Sequence, residues 1–237
     1  MILDNRSTVL FDLDGTLLPF RQDDFIRSYF GRLVRKALPL GFEQDTLVKA
    51  VWAGTGAMVE NDGRDLNCNV FWALFTRLTG RSREELEPVF NEFYANEFDG
   101  AREVLASRPD HSGFIRALRR RDCSVVLATN PLFPPVAVET RLRWVGLASA
   151  DFDFITTYDN SRRCKPNPDY FRDILAAVGR RAEECVMVGN NASEDMAALD
   201  LGMDGFLVTD HPEGCEGVDL NQFRHGSFAQ MEAWLLG

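Results

Sequence analysis

Paired cysteines are missing from this sequence. Its 237 residues hold five, Cys68, Cys123, Cys164, Cys185 and Cys215, an odd and widely scattered set. No CxxC pair or Cys/His cluster occurs, so neither a disulfide framework nor a zinc site is signalled. Cys123 and Cys185 fall in or beside apolar runs, where a thiol packs as a small hydrophobe. Histidine is scarce as well. His111, His211 and His225 stand far apart, His111 in helix-start sequence, and none is assigned a catalytic role. No apolar run approaches the roughly 20 residues of a membrane helix. Met1-Ile2-Leu3-Asp4-Asn5-Arg6 lacks the basic-then-apolar layout of a secretion signal. A cytoplasmic protein without a membrane partner is the expectation. Positive charge is in deficit, with 26 Lys and Arg against 36 Asp and Glu, which argues against nucleic-acid binding. The one basic run, Arg119-Arg120-Arg121, ends an expected helix and reads as a solvated face that complements the helix dipole. Nothing demands assembly beyond a monomer or weak homodimer.

What is present is a set of short, continuous apolar runs. Thr8-Val9-Leu10-Phe11 leads into the polar turn Asp12-Leu13-Asp14-Gly15-Thr16. Similar runs recur at 124–129, 185–189 and 205–209, with a weaker one at 152–157. Continuous apolar character indicates strands covered on both faces, as in a parallel sheet. Helix-like stretches at 111–121, 135–145, 168–179 and 193–201 alternate with them, so the expected fold is an α/β doubly wound parallel sheet. Residues 20–107 break the pattern. They contain no clear strand but show amphipathic stretches at 23–37, 43–58, 68–79 and 83–96, with Phe25, Tyr29, Phe30, Leu33 and Val34 at helical spacing. That interval exceeds any crossover loop. It is read as a small all-α domain inserted after the first strand into a core of residues 1–19 and 108–237, its aromatic stripes being core rather than a cofactor surface.

In an open parallel sheet, ligands bind at the carboxyl ends of the strands. The first strand delivers Asp12 and Asp14 there, the second Thr129 and Asn130, and a later one Gly189, Asn190 and Asn191; Lys165 follows the weak third strand. Two close carboxylates, a hydroxyl, a lysine and amide oxygens suit a metal and a phosphate. Phosphoryl transfer needs an in-line nucleophile and cations on the equatorial oxygens. Asp12, at the strand tip, is the candidate nucleophile, splitting one hard step into two. Asp14, brought round by the turn at Gly15, is the candidate acid for the departing oxygen and base for the attacking water. Thr129 and nearby backbone N–H groups would hold phosphate oxygens, and Lys165 would neutralise them. Magnesium is satisfied by a few carboxylates or amides plus phosphate and water.

Phe11-Asp12-Leu13-Asp14-Gly15-Thr16 resembles the first motif of the haloacid dehalogenase (HAD) superfamily. Ala128-Thr129-Asn130 resembles the second motif, Lys165-Pro166 the third, and Gly189-Asn190-Asn191-Ala192-Ser193-Glu194-Asp195 the fourth, in family order across essentially the whole chain. The resemblance implies a Rossmann-like core with a helical cap and a phosphatase-like hydrolase. It also implies Asp12 as nucleophile, Asp14 as acid/base with its main-chain carbonyl on Mg²⁺, and Thr129, Asn130 and Lys165 on phosphate. Asp12, Asp14, Asn190 and Asp195 are the implied metal set, with Asn191 and Glu194 as further candidates. One departure stands out: the acid that follows the glycine of the fourth motif is replaced by Asn190 and Asn191. An amide oxygen ligates magnesium without charge. A working site with weakened metal binding, an altered metal preference and a largely inactive relative are all open.

Plainer readings exist for each residue. Asp12 and Asp14 could cap a turn, Thr129-Asn130 could end a strand before Pro131, Lys165 could be a loop lysine, and Asn190 and Asn191 could be turn formers. The four motifs together favour hydrolysis of a small phosphorylated metabolite. A sugar-phosphate mutase and a catalytically impaired binding or regulatory protein are the alternatives. Phe20, Arg21, Asn61, Asp62 and Arg64 fall near loops or hinges facing the crevice, without an assigned part in specificity.

Overall fold

A computed structural model describes residues 7–237; Met1 to Arg6, read above for the absence of a secretion signal and placed in the core, lie outside them. Six strands form one parallel sheet in the order β3-β2-β1-β4-β5-β6. They are β1 Thr8–Phe11, β2 Ser124–Leu127, β3 Phe154–Ile155, β4 Cys185–Gly189, β5 Asp204–Val208 and β6 His225–Gly226. The chain reverses its direction of winding between β1 and β4, and that switch point opens a crevice at the strands' carboxyl ends. The register puts Phe11 beside Leu127 and Val188, so Asp12, Ala128 and Gly189 leave the sheet side by side.

Alternation of side chains along each strand supplies both faces. Val9, Phe11, Val125, Leu127, Val186 and Val188 pack into one core, and Leu10, Val126, Cys185 and Met187 into another with Tyr170, Phe171 and Ile174 of α7 Pro168–Val178. Cys123 and Cys185 are buried, and no cysteine among the described residues is in a disulfide.

Between β1 and β2 run α1 Gln22–Ala37, α2 Gln44–Val59, α3 Asn67–Thr79 and α4 Arg83–Ala95, then a 3-10 stretch at Glu97–Val104. Their boundaries follow local chemistry. Ser82 caps α4 by accepting the Glu85 N–H, and α3 stops where Gly80 turns left-handed. Phe25, Tyr29 and Leu33 of α1 are buried, and they belong to the same core as Val9 and Phe11. α5 Ser112–Arg119 and α6 Pro135–Arg143 flank β2 in sequence, and α8 Phe228–Leu236 closes the chain.

Three local expectations are corrected. The weak run at 152–157 gives only the two-residue β3, because the Asp153 carboxylate, not a ladder carbonyl, takes the Val125 N–H at 2.8 Å. The helix expected at 193–201 is a 3-10 stretch at Met196–Leu201. Ahead of it the Asn191 carboxamide accepts the N–H groups of Ser193 and Glu194, both at 3.0 Å, and competes with helical bonds. Arg119 is more than a solvated charge, since it donates to Asp153 and to the Asp151 carbonyl and ties α5 to the β3 edge.

Candidate active site

Asp12 is the first residue beyond β1 and is 7% exposed. One of its oxygens, Oδ1, accepts from Lys165 Nζ at 2.8 Å; the other, Oδ2, accepts from Thr16 Oγ1 at 3.2 Å. The same lysine donates to Asp195 Oδ1 at 2.6 Å, so one buried ammonium bridges two buried carboxylates. Burial alone would lower the Lys165 pKa, but Asp12 and Asp195 outweigh it and hold the lysine charged well above its usual value. Asp195 is fully engaged: its Oδ2 accepts the Asn191 N–H at 2.9 Å.

Asn190 has an orientation fixed by its neighbours. Its Nδ2 donates to the His211 carbonyl at 2.6 Å, which only the amide nitrogen can do. Its Oδ1 therefore faces the crevice and shares the Thr16 hydroxyl with Asp12 Oδ2, at 3.2 Å from that hydroxyl. The turn is packed too tightly for side chains at its glycines. Gly15 adopts φ +79°, and a Cβ there would fall 2.1 Å from Asn190 Nδ2. A Cβ on Gly189 would meet Asp195 Oδ2 at the same distance.

Asp14 pairs with Arg141 of α6, whose Nη1 donates to Asp14 Oδ2 at 2.5 Å. Arg141 is completely buried. Its guanidinium lies over the Phe133 ring at 4.4 Å. Burial pushes the Asp14 carboxyl above the usual carboxylate range, Arg141 opposes that, and Asp12 adds to it. Asp14 Oδ1 is buried with no partner.

Thr129 leaves β2 next to Asp12, and its carbonyl is anchored by Thr156 Oγ1 at 2.6 Å and the Tyr170 hydroxyl at 2.9 Å. Asn130 donates to Glu194 Oε2 at 3.1 Å while its own Oδ1 is buried without a partner. Glu194 is raised by burial, then by Asp12. Asp12, Asp14, Asn190, Lys165 and Asp195 thus meet around one crevice, and Asn130 and Glu194 border it. Thr129 arrives by its place in the register, and Asn191 turns inward to cap its own loop. His111, buried and bonded to the Leu17 carbonyl, is structural.

The sequence reading missed Arg141 and Glu213. Glu213 exchanges backbone bonds with Asn190 and Ala192, both at 2.9 Å. Its carboxyl is pushed up to about 7, chiefly by burial, then by Asp12, Asp14 and Glu194. Neither residue sits in a motif, and only their partners, distant in sequence, give them meaning.

The oxygens suit a hard cation: Asp12, Asp14 and Glu194 carboxylates, the Asn190 amide oxygen and the orphaned Asp14 Oδ1. No three metal-ligating side chains of the His, Cys, Asp and Glu kind are already gathered among the described residues. Main-chain, amide and phosphate oxygens would have to complete such a shell. Asn61 and Asn67 secure the long helical segment to the same loops: Asn61 Nδ2 donates to Asn67 Oδ1 at 2.8 Å, and Asn67 Nδ2 to the Pro131 carbonyl at 3.2 Å. Arg64 pairs with Asp62 at the surface.

These charges dictate a pH dependence. Glu213, pushed up to about 7 chiefly by burial, ordinarily titrates at 4.5. The folded state holds its proton more tightly, so its contribution to stability is greatest below the unfolded value and falls as pH rises towards 7. In chelator the melting temperature is expected to drop between about pH 5 and pH 7. A flat or rising profile in that window would contradict the assigned burial.

A family model, haloacid dehalogenase-like hydrolase, matches residues 7–200. A phosphoglycolate phosphatase of Caulobacter vibrioides is 27% identical over 229 residues, covering 91% of this chain and 86% of that protein. The pyrophosphatase PpaX of Bacillus cereus is 22% identical over 196 residues, covering 83% and 80%. Among solved structures, a HAD phosphatase from Thermococcus onnurineus superposes with a TM-score of 0.61 at 21% identity, covering 97% of each chain. At that identity the likeness concerns the fold. No helix among the described residues is long and apolar enough to cross a membrane.

Proposed function

The chain belongs to the haloacid dehalogenase-like hydrolase family, and on that premise we propose that it is a phosphatase acting on a small phosphorylated metabolite through a phosphoaspartate on Asp12. The observation that carries this reading is the buried Asp12–Lys165–Asp195 chain. A carboxylate at a strand tip, held in one orientation by a lysine that cannot lose its proton, is preorganised to attack phosphorus. The relatives named as phosphatases support the same class of reaction.

Each residue then has a part. Asp12 bonds to phosphorus as the bond to the leaving oxygen breaks. Asp14, its carboxyl raised by burial, gives that oxygen a proton, then takes one from the water that releases phosphate. Lys165 and Thr129 hold the non-bridging oxygens, with Asn130 beside them. Asp12, the Asp14 main-chain carbonyl, Asn190 and Glu194 would hold magnesium, which would supply positive charge at the phosphate. Asp195, with both oxygens engaged, acts on this set through Lys165 and loop 191. Residues 20–107 are assigned as a cap over the crevice, with the core in 1–19 and 108–237; closure of such a cap excludes water.

The test is phosphate release from a generic aryl phosphate at millimolar magnesium, abolished by chelator. Absence of turnover over a panel of phosphate esters would instead favour a binding protein that kept the fold. Asn190→Asp separates charge from geometry. It adds a carboxylate beside Asp12 and should tighten magnesium by roughly tenfold. It also sets that carboxylate against the His211 carbonyl that Nδ2 now serves, which costs about 1–3 kcal/mol in the metal-free protein. Magnesium titration and chelator melting curves read the two effects separately. Unchanged titration would reject charge as the missing component.

A further inference from the structure

The long helical segment contains a chamber that the proposed chemistry does not use. A cavity of about 110 Å³ lies between α1, α2, α3 and α4 and the loop after Asn130. Rings make most of its wall, among them Phe25, Tyr29, Trp72, Phe90 and Phe133. Tyr29 and Tyr94 hydroxyls bond to each other at 3.0 Å, which leaves one O–H donor between them. Against these rings stand few polar side chains, Gln22, Thr55 and Tyr158 with the tyrosine pair, so most hydroxyls of a polyhydroxylated guest would be buried unpaired.

Its position ties it to the reaction. Arg141, bonded to Asp14, packs against two of the cavity's walls, 4.4 Å from the Phe133 ring centre and 5.9 Å from that of Phe25. The chamber is therefore one guanidinium away from the acid that protonates the leaving oxygen. The leaving group must lie on that acid's side. Two further donors of Arg141, Nε and Nη2, are buried without acceptors, and an incoming ester oxygen beside Asp14 is a partner they lack.

We infer that this chamber receives the organic part of the substrate, and that the natural leaving group is an alcohol built on one apolar ring. The inference rests on the phosphatase reading and narrows its substrate class. An apolar cavity of about 150 Å³ admits benzene, so this one holds a single ring at most. A short polyol or a carboxymethyl ester would leave it empty and forfeit the burial.

The experiment compares wild-type kcat/KM for phenyl phosphate, glycerol phosphate and carboxymethyl phosphate, and titrates phenol alone against Trp fluorescence. The phenyl ester's advantage includes that of its more acidic leaving group; the share due to burial of the ring, on the order of 10- to 100-fold, is the part that Val51→Phe should remove. Phenol should saturably perturb the fluorescence and compete with the phenyl ester. Val51→Phe fills the chamber and should abolish phenol binding while raising KM for the phenyl ester alone; Phe90→Leu enlarges it and should admit a naphthyl ester. Equal kcat/KM for the three esters, preference for the carboxymethyl ester, or no phenol binding to wild type would overturn the inference. If no ester is turned over but phenol binds as stated, the chamber stands and the phosphatase reading falls.

Discussion

Replacing Asp12 with asparagine is expected to lower phosphate release by on the order of 10⁴- to 10⁶-fold, the scale on which enzymes lose rate when a nucleophile is removed. The substitution is nearly isosteric. The amide oxygen can keep the bond from Lys165, while the amide nitrogen that replaces Oδ2 must donate to the Thr16 hydroxyl instead of accepting from it, so one bond survives and the other reverses. The folded protein should persist, and the melting temperature should change far less than the rate. What disappears is the charged oxygen able to bond to phosphorus. Steady-state rates with an aryl phosphate, read beside a melting curve, check this. Retention of more than about a tenth of the wild-type rate would remove Asp12 from the chemistry.

Lys165→Met should act on stability and rate together. Lys165 is almost wholly buried and stands between Asp12 and Asp195. Methionine fills much the same volume but leaves two facing carboxylates without a counter-charge. Breaking a buried pair in this way costs about 3–5 kcal/mol. The loss should be larger at pH 8 than at pH 5. Without the ammonium, burial and mutual repulsion push both acids up, and a proton taken up at low pH relieves the repulsion. In wild type the raised lysine pKa means that its own stabilising effect is complete below 10.5 and fades only as pH climbs past its elevated folded value. It therefore contributes no slope near neutrality. Denaturant unfolding of the variant at the two pH values reads this directly, and equal losses at both would mean that the carboxylates are not the source.

Much of the architecture was legible because burial leaves a one-dimensional trace. Strands covered on both faces must be apolar throughout; β1, β2 and β4 appear within the expected runs, and β5 starts one residue ahead of its run. The four helices of the long segment were marked by ring spacing and lie within two residues of expectation at each end. The clustering of the candidate residues was legible for a related reason: polar residues directly after apolar strands fall at the sheet's carboxyl edge. Other features left weaker traces. β6, His225–Gly226, has no apolar run at all. α8 carries a capping box, Ser227 with Gln230, a signal that was there to be used. Arg141 looks like any exposed helical arginine until Asp14, 127 residues away, is seen against it. The orientation of Asn190 depends on the His211 carbonyl, and no pattern in sequence encodes which way an amide faces.

Under the proposed function, Asn190 in place of an acid keeps a ligand oxygen. Its oxygen points to the same crevice as Asp12; what is missing is one negative charge. Glu213 and Glu194 stand close enough for Asp12 to raise both, so the crevice keeps an acidic character suited to a divalent cation.

The most direct measurement is to quench the protein in acid during turnover of a phosphate ester and weigh it intact, then map any adduct by peptide mass. One phosphoryl group on the peptide carrying Asp12, absent from Asp12→Asn, is the expected result. Full turnover with no covalent phosphate at any quench time, or phosphate mapped to another side chain, would contradict it.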